Sequence, residues 1–171
     1  GSGFFKDMHI VANHDDNPSY ASPYSYGAHL DYNHPGTMIF EDCKFESFQN
    51  SAVGIGTHQD QTIIFRNCEF YQDAVYDAGA FYCHNSSGDN VTNQKIVLIN
   101  CIIHSKNGYS LRIDDANADG VSTLDLTFIN NVFYSDARGH NGMYPNGALN
   151  SNNITLNPMS RGNNIAELNA V

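Results

Sequence analysis

One pattern recurs five times along this chain and constrains the fold more than any other feature. Each copy holds an apolar pair, then Asp or Asn, then a small or apolar residue, with an apolar residue two places further on. The copies read Phe4-Phe5-Lys6-Asp7-Met8-His9-Ile10, Ile39-Phe40-Glu41-Asp42-Cys43-Lys44-Phe45, Ile64-Phe65-Arg66-Asn67-Cys68-Glu69-Phe70, Val97-Leu98-Ile99-Asn100-Cys101-Ile102-Ile103 and Thr127-Phe128-Ile129-Asn130-Asn131-Val132-Phe133. The Asp or Asn falls at 7, 42, 67, 100 and 130, so successive copies lie 35, 25, 33 and 30 residues apart. Repeats of this size mean a stacked architecture in which each unit buries its apolar face against the next.

Each copy joins two short alternating runs, which read as strands. The Asp or Asn between them sits at a bend, because both residues tolerate the left-handed backbone conformation and can hydrogen-bond locally. Stacked units bring these side chains above one another at roughly 4.8 Å, within reach of a bonded ladder. The expected fold is all-β, a single-stranded parallel β-helix of about five coils with an Asn/Asp ladder.

On these motifs, from Gly3 to the region of Asn150, the chain resembles the right-handed parallel β-helix proteins of the pectate-lyase-like superfamily. That resemblance implies three short strands per coil and an Asn ladder at the tight bend. It is specific for fold and weak for function, since the architecture hosts polysaccharide lyases, glycoside hydrolases, phage tailspikes and non-enzymatic surface proteins. Short, Asn-rich coils without tryptophan look most like phage tail appendages and bacterial surface proteins, which commonly form trimers; a homotrimer is therefore one assembly the resemblance admits.

Four segments fit the third strand of a coil: Ala28-His29-Leu30-Asp31, Val53-Gly54-Ile55-Gly56, Phe81-Tyr82-Cys83-His84 and Leu111-Arg112-Ile113-Asp114. Side chains alternate across a strand. Ala28, Val53, Phe81 and Leu111 should therefore point inward, and His29, Gly54, Tyr82 and Arg112 should form one outward row. Asp31, Gly56, His84 and Asp114 form the next. Two glycines between polar and aromatic rungs predict a shallow notch where a sugar ring can approach the backbone.

The 171 residues suffice for one domain with a true core. Residues 1–2 read as an expression remnant, 3–150 as the β-helix, and 151–171 as a C-terminal cap or a linker to a further domain. Because the motif starts at Gly3 with no element to cover the open strand edges, a piece of a longer protein is expected. Cys43, Cys68 and Cys101 share one inward position and Cys83 another, which favours a buried thiol ladder; a disulfide between adjacent coils is the competing reading. The cysteines therefore do not reveal the compartment, and no paired Cys or His spacing points to zinc. No metal ligand set is assigned.

Eight Lys and Arg against 18 Asp and Glu leave a net charge of −10. Nucleic acid is an unsuitable partner for a chain without a basic cluster, and no apolar run has membrane-spanning length. The expected partner is cell-surface or capsular polysaccharide, with an extracellular or virion location.

The candidate substrate-binding residues are His29, Asp31, Tyr82, His58, Asp60 and Tyr24. Tyr24 lies in a loop from Asn13 to Tyr26 rich in tyrosine, which pairs an apolar ring with a hydroxyl. The candidate catalytic residues are Asp114, Asp115, Arg112 and His84. A glycosidase needs a carboxylate pair at a suitable separation, yet Asp31 and Asp114, three coils apart, are about 14 Å distant. A lyase needs a base and a charge to neutralise a uronate, which Arg112, or His84 with an Asp-bound calcium, would supply; calcium is the sole cofactor considered. The motif sets of the polygalacturonases and pectate lyases are missing, and there is no tryptophan. Three readings stand: a glycan-recognition module, a lyase or hydrolase acting on the same face, and a structural spacer of a trimeric fibre.

Overall fold

Alternating apolar runs broken at each Asp or Asn become strands separated by bends in the computed structural model. It describes residues 1–12, 26–30, 35–48, 50–56, 60–74, 79–84, 94–113, 124–137, 143–145, 154–156 and 161–162. The chain begins with β1 (Gly3–Lys6), β2 (His9–Ala12) and β3 (Ala28–Leu30), then β4 (Gly36–Glu41), β5 (Lys44–Ser47) and β6 (Val53–Gly56). It continues through β7 (Gln61–Arg66), β8 (Glu69–Gln72), β9 (Gly79–His84), β10 (Gln94–Ile99), β11 (Ile102–Ser105) and β12 (Tyr109–Ile113). Last come β13 (Leu124–Ile129), β14 (Val132–Ser135), β15 (Met143–Pro145), β16 (Ile154–Leu156) and β17 (Arg161–Gly162). No helix occurs among the described residues.

These strands form three sheets, ordered β1-β4-β7-β10-β13-β16, β17-β14-β11-β8-β5-β2 and β15-β12-β9-β6-β3. Neighbours in a sheet are three elements apart, so the chain visits the sheets in rotation, and every pairing is parallel. The result is all-β, with parallel strands stacked in three sheets, an arrangement compatible with a parallel β-helix. Strand β15 adds a fifth rung to the third sheet, pairing Leu111 with Met143 and Arg112 with Tyr144. In the stretch after residue 150, β16 and β17 pair with β13 and β14.

The five marker residues all take a left-handed backbone, with φ of 54° at Asp7, 54° at Asp42, 53° at Asn67, 55° at Asn100 and 53° at Asn130. Asn67 Nδ2 donates to Asp42 Oδ1 at 3.1 Å, Asn100 Nδ2 to Asn67 Oδ1 at 3.3 Å, and Asn130 Nδ2 to Asn100 Oδ1 at 2.8 Å. The ladder thus has a direction and ends on the acceptor-only Asp42, whose other oxygen lies 3.3 Å from Lys6 Nζ.

Inside, the phenylalanines stack along the sheets and meet edge to face between them. Phe40 lies on Phe65 at 5.0 Å and Phe45 on Phe70 at 5.3 Å. Phe81, from the third sheet, meets Phe65 at 5.5 Å and Phe70 at 5.3 Å, both at 88°. One ring from each sheet therefore closes the core at this level. The four cysteines are free and buried. Each thiol of the first three donates to the carbonyl two residues back and to one on the preceding rung, as Cys68 does to Arg66 and Phe40. Burial pushes the Cys83 thiol up to about 12. Asn131 occupies the same column, its Oδ1 accepting the Cys101 amide at 2.8 Å and its Nδ2 donating to the Leu98 carbonyl at 2.9 Å. The buried amide replaces a thiol there without leaving a polar group unpaired.

Candidate functional site

The predicted outward row of the third sheet is built from strands that run parallel and in register. His29 pairs with Gly54, Gly54 with Tyr82, Tyr82 with Arg112, and Arg112 with Tyr144. Their inward neighbours Val53, Ile55, Phe81, Cys83 and Leu111 are buried, which fixes the backbone from which the outward side chains rise.

The glycine notch is not open. All four residues of β6 are buried: Val53 and Ile55 face the core, and the ring of Tyr26, just before β3, lies over Gly54. A Cβ added to Gly54 would meet Tyr26 Cδ1 at 2.7 Å. Tyr26 also stacks on His29, with centroids 4.6 Å apart at 21°, and lies 6.4 Å from Tyr82 at 29°. The guanidinium carbon of Arg112 stands 5.2 Å from the Tyr82 ring centroid, within cation–π range. The expectation of a bare floor for a sugar ring is therefore corrected: the glycine makes room for a ring of this chain. The row becomes a continuous stack of His29, Tyr26, Tyr82 and Arg112.

Stacking hides the ring faces between neighbours along the row and turns ring edges, a phenol, an imidazole and a guanidinium outward. His29 is exposed, whereas Tyr26, Tyr82 and Arg112 are half-buried. Such a ridge supplies hydrogen-bond donors and acceptors at successive rungs.

Of the other predicted residues, Asp60 stands in the bend leading into β7. It has a left-handed φ of 51°, and its carbonyl accepts the Gly36 amide at 3.3 Å, so it has a backbone role at that corner. His84 ends β9 opposite Gly56. Asp31, His58, Tyr24, Asp114 and Asp115 lie outside the described residues. Among the described residues no group of three His, Cys, Asp or Glu side chains is placed to hold a metal ion.

Sequence reasoning missed two things on the outer surface. One is the part played by Tyr26, whose separation from Gly54 in sequence gives no sign that they touch. The other is a second row on the second sheet, where Tyr71, His104 and Tyr134 stand in register. That row was legible, since each of the three falls four residues after its Asn marker.

Comparison of this chain with protein-family models, with curated proteins and with solved structures finds no match. Function is therefore argued from the chain's own residues.

Proposed function

We propose that this chain is a right-handed parallel β-helix module of a phage tail or bacterial extracellular protein, and that it recognises cell-surface or capsular polysaccharide along the outer face of its third sheet. The observation that carries the reading is the continuous stack of His29, Tyr26, Tyr82 and Arg112, with contacts of 4.6, 6.4 and 5.2 Å. The right hand follows from the strong preference of parallel crossover connections.

Three features support recognition of a repeating glycan. The row repeats at strand spacing, so a polymer along the stack meets similar groups at each rung. The stack turns phenol, imidazole and guanidinium groups outward, which suits a ligand dense in hydroxyls. The parallel strands beneath are rigid, so little order must be gained on binding. Hydrolysis needs two carboxylates at a defined separation, and none of the four stacked residues is a carboxylate. Recognition needs only the groups already in the row.

The test is incubation of the purified protein with neutral and uronic-acid surface polysaccharides, following retention, reducing ends and unsaturated-product absorbance. Retention without product, weakened in Tyr82→Ala while thermal unfolding is unchanged, is expected. Product that disappears in Arg112→Ala would replace the binding module with a lyase or hydrolase on the same face. Retention on no glycan would overturn the reading and leave a structural spacer.

A further inference from the structure

The outer face of the second sheet carries a row that the third-sheet site does not use. Strand register aligns Val11, Glu46, Tyr71, His104 and Tyr134. From Tyr71 onward it is aromatic: Tyr71 and His104 have centroids 5.2 Å apart at 61°, and His104 and Tyr134 5.1 Å apart at 63°. The adjoining outward row presents Ile102 at 48% and Val132 at 42% exposure, and Tyr134 itself is 47% exposed. Polar groups border the rings at the strand ends. His104 Nε2 lies 3.1 Å from Asp136 Oδ2, Lys106 Nζ 2.7 Å from Asp73 Oδ2, and Asn107 Nδ2 donates to Asp73 Oδ1 at 2.8 Å.

We propose that this face is a second binding site, for a neutral glycan laid along the stack with successive sugar rings against Tyr71, His104 and Tyr134. The proposal rests on the polysaccharide reading above and adds a site and a ligand class to it.

The repeat argues for a polymer in step with the strands. Ring separations of 5.1 and 5.2 Å hold one interval over three rungs, close to the advance of one pyranose in an extended glycan. A bound peptide strand advances about 3.3 Å per residue and presents same-face side chains about 6.6 Å apart, out of step with the row. The ring tilt matters as well. On the third sheet nearly parallel rings cover one another, whereas at tilts of 61° and 63° the contacts run edge to face, so the ring that offers its edge keeps its faces clear of that neighbour.

Charge selects the class. Among the residues of this face whose side chains are described, Lys44 and Lys106 stand against Glu46, Glu69, Asp73 and Asp136, on a chain of net charge −10, so a polyanionic glycan is repelled. Carboxylates are acceptors for hydroxyl donors, which a neutral sugar has in abundance. The same charges disfavour a second copy of this chain as occupant, since the centre of a protein interface is depleted of them.

The test is calorimetric titration of the whole chain with neutral β-1,4-linked glucose and mannose oligomers of increasing length, and with oligogalacturonate, on wild type, Tyr134→Ala, His104→Ala and Tyr82→Ala. Affinity for a neutral oligomer should rise with length to about a trisaccharide, one sugar per ring of the row. It should fall about five- to tenfold in Tyr134→Ala and in His104→Ala, with a smaller change in Tyr82→Ala. Should Tyr134→Ala unfold, Tyr134→Lys removes the ring while keeping a long side chain and must give the same loss. Glycan binding abolished by Tyr82→Ala but unchanged in Tyr134→Ala and His104→Ala would overturn the second site and leave the third-sheet reading standing. Binding of oligogalacturonate alone would overturn the neutral class, and no binding at all would overturn both readings.

Discussion

The ring of Tyr26 lies on Gly54, so close that a Cβ on that glycine would stand 2.7 Å from Tyr26 Cδ1. One residue of the loop side thereby completes a row whose other members come from strands, and stacks on His29 at 4.6 Å.

Gly54→Ala should displace this ring. Loss of the stack and crowding at the strand should destabilise the fold by about 1 kcal/mol, with shifts in the Tyr26 and His29 ring resonances by NMR. Glycan retention should fall to the level of Tyr26→Ala. Unmoved ring resonances would show that the tyrosine does not depend on the glycine.

The Asn ladder should be sensitive to which atom donates. Asn100 donates to Asn67 and accepts from Asn130. Asp in its place supplies acceptors only, so Asn100→Asp should lose about 1–2 kcal/mol in urea unfolding. Asn100→Ala loses both bonds and adds the strain of a left-handed φ of 55°, and should cost about 1 kcal/mol more. Equal stability of Asn and Asp at this position would mean that the ladder bonds contribute nothing.

Phe65 is fully buried where the three sheets meet, in contact with Phe40, Phe45, Phe70 and Phe81. Phe65→Ala should cost about 3–5 kcal/mol, and Phe65→Leu much less because most of the volume remains. Denaturant midpoints at constant slope would check the ordering.

Glu46 should make the fold sensitive to acid. The Lys44 ammonium, at 2.8 Å, holds its carboxyl below the usual carboxylate range against the opposing effect of burial, and His9 at 2.7 Å adds to the lowering. A folded-state pKa below the unfolded one contributes stability above the unfolded value of about 4.3. That contribution is lost as pH falls through the folded value. Urea midpoints should decline between about pH 5 and 3 in the wild type and less steeply in Glu46→Gln. Identical slopes in the two proteins would remove Glu46 from the acid response.

The four thiols should be inert in the native protein. All are buried, and burial raises Cys83 to about 12. Alkylation near pH 8 should proceed only through unfolding, and all four should react in denaturant. Fast native labelling of any of them would contradict the buried column.

Much of the scaffold was legible because it follows from local rules repeated in register. The marker residues had to tolerate a left-handed backbone, and the side chains of Asp42, Asn67, Asn100 and Asn130 do meet. The inward positions Val53, Ile55, Phe81, Cys83 and Leu111 came from strand alternation alone. The candidate site was less legible. His29, Tyr82 and Arg112 stand in the expected row, but the open floor at Gly54 does not exist, and the aromatic row at Tyr71, His104 and Tyr134 was passed over.

By itself the sequence determined the bends, the strand alternation and the columns of like residues. Those depend on backbone conformation and burial, and both are written in residue type and period. Only the tertiary structure decided what stands above each outward position. An outward side chain is not held by the core, so its neighbours depend on where a connecting segment returns to the sheet. Strand pairing sets His29 opposite Gly54 as the alternation implied, but the seating of the Tyr26 ring over that glycine is settled by packing rather than by the period of the strands.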